Sequence, residues 1–94
     1  MKVNHLLAKF RLGHLVSTPN ALSQLPNQEI IKAIQRHQAG DWGEVDEHDR
    51  RENERALLER TRLLSVYRTS DGVKFWVITE ADRSVTTVLM PEDY

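Results

Sequence analysis

The sequence predicts an α+β domain in which an N-terminal strand and two to three helices pack on one face of a three- or four-stranded antiparallel sheet. Three observations predict it. Ile30, Ile31 and Ile34 recur at helical spacing. Three β-rich segments, centred on Val66, Val77 and Val88, are joined by connections too short for a crossover helix. A chain of 94 residues is enough for one core and too short for two, so residues 1–94 are read as one domain.

The elements follow in order. Phe10, Leu12 and Val16 alternate with polar neighbours, as a short strand would over Phe10–Val16. Thr18 is placed to cap a helix whose first position suits Pro19, because proline lacks the amide that would go unpaired there. Pro26 closes that segment. Asn27 is the expected cap of the Ile-rich helix, and Gly40 is placed to end it. Asp46 caps a third helix, polar until Ala56, Leu57, Arg60 and Leu64 make a narrow stripe.

The remaining chain is strand-like. Leu63–Arg68 leads into the turn Ser70-Asp71-Gly72, and Val73–Thr79 is apolar on both faces, which places it centrally. The connection Glu80–Arg83 leads into Ser84–Met90, a Val/Thr-rich strand stopped by Pro91. Three such strands form a meander with one face to bury, and the isoleucines of the second helix are the expected cover.

Composition narrows the function classes. Hydrophobic residues at 39% against 29% charged suit a folded globule and are too apolar for a disordered chain. The absence of cysteine excludes thiolate catalysis, zinc–cysteine sites and iron–sulfur clusters, and makes the reducing cytoplasm the expected location. The first residues, from Met1 to Lys9, lack the apolar run of a signal peptide, and nothing later resembles a membrane span.

The net charge of −1 conceals an uneven distribution. Residues 1–38 hold five Lys/Arg against one acid, whereas residues 41–54 hold seven acids against Arg50 and Arg51. Net acidity is poorly suited to broad nucleic-acid binding, which depends on cations meeting phosphate. The acidic stretch instead points to a protein partner, with Asp41, Trp42, Glu44, Asp46, Glu47 and Asp49 as contact residues. Trp42 between Gly40 and Gly43 suits either an interface anchor or a core residue over the sheet, with the glycines supplying positive φ.

Few residues carry chemistry. His37, Asp41, Glu44 and His48 have donor atoms of the right kind for a metal but no recognised spacing, so no metal and no cofactor is expected. There is no phosphate-binding glycine loop and no nucleophile elbow. One enzymatic alternative is metal-independent RNA cleavage. His37 or Tyr67 would handle the 2′-hydroxyl proton and Arg83 would stabilise charge on the cyclising phosphate, with Thr86 beside them on the same sheet. A third expectation is a homodimer formed through an exposed sheet edge.

The strings Arg36-His37-Gln38-Ala39-Gly40-Asp41-Trp42-Gly43 and Leu64-Ser65-Val66-Tyr67, with the run from Trp76 to Tyr94, resemble a family of short bacterial proteins of plasmids and other mobile elements. Its members are usually called plasmid-related and are sometimes labelled type I restriction-modification subunits. The resemblance covers roughly residues 10–94. It implies a bacterial source, and it brings no activity, cofactor or catalytic residue with it. The charge split, the small size and the missing active site point to a non-enzymatic accessory factor of a mobile element that binds a host or defence protein. The sheet and its Arg83-Ser84-x-Thr86-Thr87 strand are also similar in layout to the barnase–colicin–RelE ribonucleases.

Overall fold

The computed structural model describes residues 8–94. Of the segment Met1–Lys9, in which no signal-peptide run is expected, Met1 to Leu7 lie outside the described residues. The elements run β1 (His14–Ser17), α1 (Pro19–Gln24), α2 (Asn27–Gln38), α3 (Glu47–Glu59), β2 (Leu63–Arg68), β3 (Lys74–Thr79), β4 (Val85–Leu89) and a 3₁₀ turn over Pro91–Asp93. The strand order is β1-β4-β3-β2. The expected meander is present: β2 pairs antiparallel with β3 from Leu63↔Thr79 to Arg68↔Lys74, and β3 pairs antiparallel with β4.

The fold is α+β as expected, and β3 is an interior strand. The sheet is mixed, however, because β1 joins β4 in parallel with Val16 opposite Thr87. The reason lies in α1 and α2, which carry the chain back over the sheet between β1 and the meander. The first strand is also shorter than expected. Phe10 and Leu12 lie outside it, and Gly13 (φ +67) turns the chain against the Ser84 carbonyl, where a Cβ would collide.

Local chemistry explains most boundaries. The Thr18 side chain accepts from the Ala21 amide and Pro19 opens α1, as expected. The Asp46 side chain accepts from the Asp49 amide and caps α3. Asn27 is not a cap: Pro26 holds that position with no side-chain bond, and Asn27 is the first helical residue. Gly40 lies just beyond the end of α2 with φ +85.

Alternation then decides burial. The inner face of the sheet carries Leu63, Ser65 and Tyr67 from β2, Phe75, Val77 and Thr79 from β3, and Thr86 and Val88 from β4, all buried. One cluster joins Tyr67, Phe75, Val77, Val88 and Met90 to Ala21, Leu25, Ile30 and Ala33 of α1 and α2. A second joins Trp42, Ala56 and Leu63, with Phe10, Val45 and Leu57 packed on it. The expected three-isoleucine cover is corrected to two. Ile30 is buried and Ile34 packs on the core, but Ile31 is 57% exposed because the buried stripe runs through 30, 33, 34 and 37. A radius of gyration of 12.6 Å fits one packed unit of this length.

Candidate functional site

His37 lies in the interior, on the stripe of α2 that faces the sheet, and is fully buried. Phe10 meets its ring edge-on at 5.1 Å and Trp42 at 5.7 Å. Both nitrogens are bonded, Nδ1 to Ser65 Oγ at 2.6 Å and Nε2 to Thr79 Oγ1 at 2.9 Å. The chain continues from Thr79 to Thr86 at 2.7 Å and from Thr86 Oγ1 to the Leu12 carbonyl at 2.7 Å.

That last carbonyl fixes the direction of every proton. It only accepts, so the Thr86 hydroxyl donates to it and Thr86 must accept from Thr79. The Thr79 hydrogen is thereby used, so His37 Nε2 donates to Thr79, and Nδ1 accepts from Ser65. The imidazole is held neutral in the Nε2–H form. Burial, with a smaller contribution from the Arg83 charge, lowers its pKa to about 3.

Arg83 is buried at 8% exposure with no carboxylate partner among the described residues. Its guanidinium donates instead to the carbonyls of Thr61 (2.7 Å), Ala56 (3.0 Å), Glu80 (3.2 Å) and Ala81 (3.3 Å). Ala56 is in the last turn of α3, so a fixed cation sits where the helix dipole is negative. To reach these oxygens Arg83 takes φ +62, a conformation that non-glycine residues seldom adopt. The Tyr67 hydroxyl donates to the Asp41 carbonyl at 2.6 Å, the Arg36 guanidinium lies 4.7 Å from its ring centroid, and burial pushes the phenol pKa up.

The candidates for RNA cleavage therefore meet in one region, but as an internal bonding system. His37 and Thr86 are at 0% exposure, and every donor or acceptor that the reaction would use is engaged by the chain itself. Sequence reasoning missed Ser65 and Thr79. Their signal was present: each is a hydroxyl at an inward position of an alternating strand.

The acidic stretch is at the surface, with one exception. Trp42 is 4% exposed and donates from Nε1 to Glu54 at 2.9 Å, so its indole is a core residue and not an exposed anchor. Arg36 forks onto Asp41 at 2.7 and 3.2 Å and holds its carboxyl below the usual range. Arg68 binds Glu44 at 2.9 Å. Arg50, aided by Arg51, holds Glu47 down at about 2. Asp46 is engaged as a helix cap, and Asp49 has no salt bridge among the described residues. His37, Asp41, Glu44 and His48 do not converge, and no group of three or more His, Asp or Glu is placed to hold a metal among the described residues.

The two edges of the sheet differ. On β2, the Asn53 side chain bonds both the amide and the carbonyl of Leu64, while the Trp42 carbonyl and Glu44 amide bond those of Val66. Gly43 permits this approach, since a Cβ there would collide with the Val66 carbonyl. The outer face of the sheet has Val66, Trp76 and Leu89 in one row and Leu64, Ile78, Thr87 and Val16 in another. Tyr94 meets Trp76 edge-on at 5.5 Å, and no described helix is long and apolar enough to cross a membrane. No protein-family model, curated protein or solved structure matches this chain.

Proposed function

We propose that the chain is a non-catalytic protein-binding module, an accessory factor of a bacterial mobile element. Its surface for a basic protein partner would be Asp41, Glu44, Asp46, Glu47 and Asp49. The observation that supports this reading is where the polar groups are engaged. His37, Arg83, Thr86 and Tyr67 are consumed in internal bonds, whereas Asp41, Glu44, Asp46 and Glu47 are exposed and Asp49 half-buried around the start of α3.

The arginines bound to Asp41, Glu44 and Glu47 do not oppose this reading. Exposed pairs of that kind are screened by solvent and add little to stability, so a cationic partner surface can replace them at little cost. The ribonuclease alternative has less support, since His37 is at 0% exposure and both of its ring nitrogens are bonded within the chain.

The test must spare the helix cap. The variant Asp46→Asn, Glu47→Gln, Asp49→Lys keeps a capping side chain at position 46 while removing the local negative field. Affinity capture from a bacterial lysate, quantified by mass spectrometry, should show a salt-sensitive partner retained about tenfold less by this variant, equivalent to ~1.4 kcal/mol. Equal retention by both proteins overturns the reading.

A further inference from the structure

We infer that β1 is a self-pairing edge, through which two copies of the chain join their sheets antiparallel about a two-fold axis at Val16. This surface is separate from the acidic one and does not depend on it.

The hydrogen bonding of β1 shows which groups remain outward. The His14 amide donates to Ser84 and the Thr18 amide to Val88, so the even-numbered residues face β4. Alternation turns the amides and carbonyls of Leu15 and Ser17 to the outside, where no described residue bonds them. The opposite edge is closed at each outward position from Leu64 to Val66, once by a side chain and once by a bridging segment. Within its four residues β1 has no lysine, no proline and no glutamate or aspartate of the kind that keeps edges apart. It presents Leu15 at 53% exposure and Val16 at 46%.

The occupant follows from symmetry and charge. A two-fold axis at Val16 sets Leu15 opposite Ser17 of the second copy, each such pair exchanging two hydrogen bonds. The two Val16 side chains then face each other at the close, non-bonded position. They extend the row of Leu64, Ile78 and Thr87 from one sheet into the next.

The same axis brings the start of one strand to the end of the other. Exposed Arg11 precedes β1. Glu92 and Asp93 stand at its far end, bound to Thr18 and Asn20 by neutral donors only, with no cation paired to them among the described residues. Antiparallel self-association therefore opposes unlike charges at both ends. A foreign strand would have to supply that pattern, whereas a second copy already carries it.

Light scattering and native mass spectrometry test this on the full chain. The wild type should run at twice the chain mass at the upper end of a micromolar-to-millimolar series. Val16→Lys and Val16→Glu should each run as folded monomers, since position 16 is half exposed and points away from the core. An equal mixture of the two variants should recover the doubled mass, because lysine then faces glutamate across the axis. A wild type that stays monomeric throughout overturns the inference and leaves the edge to a strand from another protein. A dimer that survives both charged variants also overturns it, and so does a mixture that stays monomeric.

Discussion

His37 shows how one side chain can be polar, buried and inert. Its neutral form is set by four consecutive hydrogen bonds ending on the Leu12 carbonyl, and its pKa is lowered to about 3 by burial first and by Arg83 second. In the unfolded chain the imidazole takes up its proton below about 6.5, while the folded chain refuses it until about 3. Between those values the unfolded state binds more protons, so stability is complete above that window and is lost as pH falls. The loss is about 1.4 kcal/mol per pH unit. Urea unfolding of the wild type and of His37→Gln, from about pH 7 to about pH 4, should show the steeper decline in the wild type. Parallel declines would mean that the ring is protonated inside the fold. The sequence revealed this residue only in part. His37 was identifiable on the apolar side of its helix, but its partners lie 28 and 42 positions away and depend on strand register.

Elements are held here by side chains that substitute for backbone. Asn53 acts as a one-residue partner strand for Leu64, with bonds of 2.7 and 3.1 Å, and joins α3 to the sheet. Arg83 binds the C-terminal turn of α3 to the loop between β3 and β4. Replacing Asn53 with Ala should destabilise the fold by about 1–3 kcal/mol, because it strips a half-buried amide and carbonyl of their partners. Denaturant titration would measure the loss, and Asn53→Asp, which keeps the acceptor alone, should fall between. An unaltered midpoint for Asn53→Ala would show that water replaces the side chain without penalty. The caps at Thr18 and Asp46 were legible because such bonds span only three residues. The parallel placement of β1 was not, since nothing within His14–Ser17 encodes its direction relative to β4.

At the scale of the molecule, the two apolar clusters are not separate bodies. Leu63 of one and Tyr67 of the other alternate along the same strand, with Ser65 between them bonded to His37. Loss of either cluster therefore breaks the register of β2 and exposes the other. Thermal unfolding should be a single transition. The near-ultraviolet signal of Trp42 and Tyr67 should disappear with the same midpoint as the far-ultraviolet signal. Distinct midpoints would contradict this coupling. The fold class was legible because periodicity and turn residues act over a few positions. The fate of Trp42 was not, because a tryptophan between glycines fits an interior or a surface equally well until the Val66 backbone is placed beside it.

The unequal finish of the sheet's two borders also sets a limit on growth. Strand addition needs a row of unspent amides and carbonyls, and Asn53 with the Trp42–Glu44 stretch has removed that row from one border. Fibrillar stacking requires each unit to accept a neighbour on both sides. A native chain that can do so on one side alone terminates at a finite particle, so concentrated solutions should be protected from ribbon-like aggregates for as long as that border stays closed.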